Sequence, residues 1–172
     1  MRLSFRLPAC ALLTMFVLCL AAADALAALK PGDAAPRFQL PDRTGALHAL
    51  SIVGEKNSRG VVVSFFATWC APCREELPLM NAKADDLRRK GITIVLVDVK
   101  ESFEEIDLLL AELKIDKPLV VSDRFGKALE AFGVRFLPTT FFIGPDGLIR
   151  DIIYGGMLDE NDFMTGVKTL LK

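Results

Sequence analysis

Histidine is nearly absent from this chain: among 172 residues, His48 is the only one. Cysteine is scarce as well, confined to Cys10, Cys19, Cys70 and Cys73. Only the last two form a close pair. A closed zinc site takes about four nitrogen and sulfur ligands, and this sequence offers too few beside that pair. It has no histidine-rich or methionine-rich tract, no internal repeat and no low-complexity segment. Neither sign of charge dominates, with 21 Lys and Arg against 22 Asp and Glu. Arg2, Arg6 and Asp24 fall in the first 27 residues, which leaves 19 basic and 21 acidic side chains beyond them. That balance argues against a nucleic-acid surface built on basic excess.

The longest apolar run is at the N-terminus. Arg2 and Arg6 precede the apolar stretch 7–23, and Ala25-Leu26-Ala27 supplies the small residues of a cleavage site. This order predicts a secretory signal peptide over residues 1–27 and a single domain over 28–172. An uncleaved membrane anchor is the rival reading, because a run of about 17 residues is at the short limit for a span. Cys10 and Cys19 lie inside this segment. The remaining domain therefore keeps one cysteine pair, although an exported protein is free to build several disulfides.

That pair lies in Trp69-Cys70-Ala71-Pro72-Cys73. Two intervening residues place both sulfurs on the first turn of a helix. Unpaired N–H groups and the helix dipole at that end favour a thiolate on Cys70. The spacing also lets the two sulfurs close a disulfide, with Cys73 as the resolving partner. Pro72 suits an early helical position, where a missing N–H costs little. Trp69 is expected to cover one side of the pair. Three uses of the pair remain open at this point: half of a zinc site, a structural staple, or a redox-active dithiol. Zinc lacks further ligands, and a loop this short constrains the unfolded chain little. The redox-active dithiol is the reading taken.

Around the motif the pattern alternates between strands and helices. Residues 38–40 and 46–52 are expected as a short hairpin, with His48 at a surface or edge position. Residues 61–67 form an apolar, β-rich run that reads as a buried central strand. A helix follows over 71–90, with Leu77, Met80, Ala84 and Leu87 inward and a kink expected at Pro78. A second buried strand spans 92–99. Ser102 and Glu105 form a capping box for a helix through Leu113. A short strand at 118–121 precedes a helix expected over 123–132. Strands at 139–143 and 148–154 flank the turn Gly144-Pro145-Asp146-Gly147. Asp159 is expected to cap a last helix with Phe163, Val167 and Leu170 inward. Met80 and Met157 read as core or edge residues. The order predicts an α/β sandwich around a mixed sheet.

A buried strand running into Trp69-Cys70-Ala71-Pro72-Cys73, a β-α-β unit, and Leu137-Pro138-Thr139-Thr140-Phe141 before the final hairpin together resemble a thioredoxin fold. With Cys73-Arg74-Glu75-Glu76-Leu77-Pro78 and the N-terminal segment, the chain resembles the TlpA/ResA-like family of exported thiol–disulfide oxidoreductases. The resemblance covers roughly residues 30–172. It implies a thioredoxin-like fold, with a mixed central sheet flanked by helices and an N-terminal β-hairpin extension. It also implies that Cys70 is the exposed nucleophile, Cys73 the more buried resolving thiol, and Pro138 a cis proline opposite the disulfide. Trp69, Pro72, Leu137, Pro138 and Thr139 would form the substrate-binding surface, with backbone beside the sulfurs free to pair with an extended substrate.

Glu76, three positions after Cys73 on the same helix face, matches a carboxylate that such proteins keep near the dithiol. It could take a proton from Cys73; a solvated surface glutamate is the alternative. Where thioredoxin itself carries a buried acid, this chain has Ser64, which shifts the proton route toward Glu76 or water.

The resemblance implies an enzyme that reduces protein disulfides in the periplasm without metal or organic cofactor. A DsbD- or CcdA-like membrane protein would supply electrons. Substrates would be apocytochrome c or oxidase copper-site cysteines, in cytochrome c or cytochrome oxidase maturation. The membrane would be touched only through the N-terminal segment. Two rival functions use related parts. A Cu(I) metallochaperone could employ the same soft dithiol. A peroxiredoxin-type peroxidase shares much of the fold, but its chemistry uses a lone activated cysteine.

Overall fold

The computed structural model describes residues 28–50, 58–157 and 159–172. The expected N-terminal signal segment lies outside them, as do residues 51–52 of the expected hairpin. The strands are β1 (Gln39–Pro41), β2 (Leu47–Ala49), β3 (Gly60–Phe66), β4 (Ile92–Val99), β5 (Leu119–Asp123), β6 (Thr139–Ile143) and β7 (Ile149–Tyr154). The helices are α1 (Ala71–Arg89), α2 (Phe103–Leu113), α3 (Lys127–Ala131) and α4 (Glu160–Leu170).

All seven residues of β3, Gly-Val-Val-Val-Ser-Phe-Phe, are buried. β-branched and aromatic side chains fit a pleated surface covered on both faces. β3 accordingly sits at the centre of a five-stranded sheet in the order β5-β4-β3-β6-β7. β4 and β5 run parallel to their neighbours toward β3, while β6 and β7 are antiparallel. β1 and β2 form the separate N-terminal hairpin. His48 in that hairpin sits 2.8 Å from Asp42 through its Nε2, so the edge histidine has a carboxylate partner.

Successive side chains of β3 point to opposite faces. Phe65 packs with Phe132 and Phe141 at ring-centroid distances of 5.2 and 6.0 Å, and Phe38 joins through Phe132. The other face carries Ser64 and the layer holding α1 and α4, where Phe142 and Phe163 lie 6.0 Å apart. Truncating Phe65, Phe132, Phe141, Phe142 or Phe163, all buried, to alanine is expected to cost about 3–5 kcal/mol.

One local expectation took a different form. Asp123 does not open a helix; it ends β5, paired with Val99. The helix begins only after Gly126, whose φ of +69° is a left-handed conformation suited to glycine, and lasts five residues. The Asp123 carboxylate instead reaches forward to accept the Leu129 N–H at 2.8 Å. α1 carries Pro78 within its span, at an exposed position. The capping box is formed: Glu105 N–H points to Ser102 Oγ, and Ser102 N–H donates to the Glu105 carboxylate at 2.8 Å.

Candidate active site

β3 hands the chain directly to the motif. Cys70 is the N-cap of α1, in an extended conformation, and its Sγ accepts the Cys73 N–H at 3.3 Å. A sulfur in this position faces the free N–H groups of the first turn, the arrangement that lowers a thiol pKa. Cys70 and Cys73 are joined as a disulfide with their Cα atoms 5.3 Å apart.

Exposure around the pair differs from expectation. Cys70 is 4% exposed and Cys73 fully buried, so Cys70 is the more accessible of two largely covered sulfurs. Trp69, next to Cys70 in the chain, is 72% exposed. Ala71 and Pro72 are exposed. Phe136, also exposed, adds a second aromatic two residues before Pro138.

Glu76 is buried at 5% exposure, whereas its neighbour Glu75 is exposed. Its Oε2 accepts the Met157 N–H at 3.2 Å. Its Oε1 lies 3.5 Å from Ser64 Oγ, which itself accepts from Thr140 Oγ1 at 2.9 Å. Burial pushes the carboxyl up to about 7, against the hydrogen bonds from Met157 and Ser64, which favour the charged form. Ser64, within β3, is therefore a hydrogen-bonding partner of the glutamate.

The Leu137–Pro138 bond is cis. Pro138 is buried and Leu137 half-buried. Thr139, expected at the substrate surface, has no side-chain exposure. Its Oγ1 donates to the Phe136 carbonyl at 2.7 Å, and its backbone pairs with both β3 and β7.

Residues 155–157 hold these parts together, and the sequence alone did not disclose it. Gly155 N–H donates to the Pro138 carbonyl at 2.8 Å. Gly156 lies against Pro72: a Cβ at that position would sit 3.1 Å from that of Pro72, a tight contact. Met157 N–H holds Glu76. One tripeptide thus touches the cis-proline segment, the motif and the buried carboxyl. The only hint in the sequence is a glycine pair directly after a strand.

Among the described residues, no group of three or more His, Cys, Asp or Glu is placed to hold a metal ion. No helix among them is long and apolar enough to cross a membrane.

A family model described as the AhpC/TSA family matches residues 31–152. The thiol–disulfide oxidoreductase ResA of Geobacillus thermodenitrificans is 35% identical over 134 residues, which is 78% of this chain and 75% of that protein. ResA of Bacillus subtilis is 32% identical over 142 residues, covering 81% of this chain and 77% of that one. Among solved structures, a Chlorobium tepidum protein assigned as the thiol:disulfide interchange protein DsbE superposes with a TM-score of 0.74 at 30% identity. That match covers 84% of this chain and 99% of the other.

Proposed function

The chain belongs to the AhpC/TSA family, on its ResA-like thiol–disulfide oxidoreductase branch, and from that premise we propose that it is an exported reductant of protein disulfides. The observation that carries this reading is the Cys70–Cys73 disulfide at the mouth of α1 with the buried Glu76 one turn further on.

In the reduced protein, the Cys70 thiolate attacks one sulfur of a substrate disulfide. That bond breaks, one substrate thiolate leaves, and a Cys70–substrate mixed disulfide forms. Cys73 then loses its proton and attacks Cys70 Sγ. The second substrate thiolate leaves, and two electrons have passed from the dithiol to the substrate. Glu76 is the proton acceptor for Cys73, because a carboxyl titrating near 7 is poised to take and return a proton at neutral pH. Trp69, Pro72 and Leu137 form the surface that meets the substrate, with Pro138 fixing the backbone beside the sulfurs.

The periplasm is kept oxidising, so a reductant there draws electrons from elsewhere. A DsbD- or CcdA-like membrane protein is the donor this reading requires. Apocytochrome c and oxidase copper-site cysteines are its substrates. Residues 1–27 deliver the domain across the membrane. No specific feature of the site favours a Cu(I) metallochaperone.

Equilibration with glutathione or dithiothreitol redox buffers tests the direction. A reductant has a potential far below the roughly −120 mV of the strong oxidant DsbA. A value near that of DsbA rejects the reductase reading.

A further inference from the structure

A second buried carboxyl lies outside this machinery. Asp98, the next-to-last residue of β4, is fully buried. Its Oδ1 accepts the Glu101 N–H at 3.3 Å. Its Oδ2 is buried with no hydrogen-bond donor. An ionised carboxylate in that state bears an uncompensated desolvation cost. A proton on Oδ2 removes the deficit by turning the atom into a donor, and the residue held beside it through the backbone hydrogen bond to Oδ1 is Glu101, whose carboxyl is the acceptor the geometry offers.

Glu101, itself 8% exposed, is already committed on its other side. Its Oε2 accepts the Thr68 N–H at 2.6 Å and its Oε1 accepts the Thr68 hydroxyl at 2.5 Å. Two short donors, one on each oxygen, call for a charged acceptor. Of the two carboxyls, Asp98 is the one that burial and its like-charged neighbour keep protonated. Thr68 is separated from Cys70 by Trp69 alone.

We propose that Asp98 is a positioning residue for the disulfide loop: its carboxyl proton, donated to Glu101, lets Glu101 grip Thr68 by two hydrogen bonds and so fixes Trp69 and Cys70 at the entrance to α1. The device does not depend on the direction of electron flow.

Burial, reinforced by Glu101, pushes the Asp98 carboxyl up to about 8. Its register partners on β3 and β5 are Phe66 and Ser122, neither of which titrates in this range. The charged or titratable groups on the surrounding elements are few. Glu105 in the first turn of α2 adds like charge. Asp123 at the end of β5 is engaged by Leu129 N–H. On α1, Glu76 is engaged by Ser64 and Met157, and Arg74 pairs with Glu112 of α2. Above its titration Asp98 releases the proton to solvent, two carboxylates face each other, and the grip on Thr68 loosens.

Trp69 is the only tryptophan of the chain, so its fluorescence reads the loop. The experiment uses the oxidised protein, in which neither sulfur titrates. Wild type is expected to show a fluorescence step centred near pH 8. The step persists in Glu76→Gln and is absent in Asp98→Asn, whose amide donates to Glu101 at every pH. The rate of disulfide reduction by dithiothreitol, divided by the thiolate fraction of the reagent, changes over the same pH range in wild type and stays level in Asp98→Asn. Carboxyl-carbon NMR of the unmodified protein needs no variant: one carboxyl of the Asp98–Glu101 pair is still protonated at pH 6.5. A wild type without the step, a step that survives in Asp98→Asn, or two ionised carboxyls at pH 6.5 overturns the proposal. None of these readouts involves a protein substrate, so a failure here leaves the reductase reading untouched.

Discussion

Gly156 lies so close to Pro72 that a methyl group at position 156 would come within 3.1 Å of the proline Cβ. Its backbone is not in the left-handed region, so the constraint is contact and not conformation. Gly156→Ala should displace the motif by a few tenths of an ångström, and Gly156→Val by more. The expected outcome is a loss of disulfide-exchange rate on the order of tenfold for the valine variant, since small misplacements of reacting groups are costly. An insulin-reduction assay, with the melting temperature as a control for folding, checks it. An unchanged rate in Gly156→Val would mean that the Pro72 contact does not position the sulfurs.

Glu76→Gln removes the proton acceptor but keeps the shape. Resolution of the mixed disulfide should slow on the order of 10²-fold, in the range of a lost general base. In wild type that rate rises through about pH 7 as Glu76 ionises. In the variant this limb should disappear. Stopped-flow thiol exchange between pH 6 and 8 separates the two, and a wild-type limb retained in Glu76→Gln assigns the proton transfer elsewhere.

Stability should fall as pH rises from about 4 to 8. Glu76 and Asp98 keep their protons in the folded state up to about 7 and about 8, whereas the unfolded chain releases them near 4.5 and 3.8. Between those values the folded state binds the extra proton, so each group lowers stability by up to about 1.4 kcal/mol per pH unit. Urea denaturation at pH 5 and at pH 8 reads this slope. Glu76→Gln should flatten it below about 7 and Asp98→Asn up to about 8. Equal stability at the two pH values contradicts the assigned protonation states.

Gly166 in α4 sits against the Phe142 ring, with a built Cβ only 2.3 Å from Phe142 Cζ. Gly166→Ala gains up to about 1 kcal/mol of helix propensity, but overpacking costs about 1–3 kcal/mol. The ring is fully buried in β6 between the sheet and the helix, so the clash should win. A net destabilisation in chemical denaturation is expected, and a more stable variant would show that the ring yields freely.

The sequence disclosed most where the signal was local. The unbroken apolar run of β3, the capping box at Ser102, the glycine turn at 144–147 and the Cys70–Cys73 spacing each predict their own structure from a few neighbouring residues. The position of Pro138 came from the resemblance, since no local rule dictates a cis bond. Tertiary relationships were not legible. Met157 meets Glu76 across 81 positions and Ser64 meets Thr140 across 76. The Asp98–Glu101–Thr68 contacts likewise depend on how the ends of β3 and β4 are brought together. The direction of Trp69 is set by the loop that holds it, so its exposure did not follow from its place in the motif. The helix expected from Asp123 failed because sheet pairing to Val99 claimed that residue first.

The central claim is that Cys70 and Cys73 work as a nucleophile and a resolver in one reversible electron-pair switch. The most direct measurement is to reduce a Cys73→Ala variant, offer it a peptide or protein disulfide, and read the adducts by mass spectrometry. A stable mixed disulfide on Cys70 is predicted, with no such species accumulating in wild type and none in a Cys70→Ala, Cys73→Ala double variant. Absence of any Cys70 adduct in the Cys73→Ala protein would contradict the account.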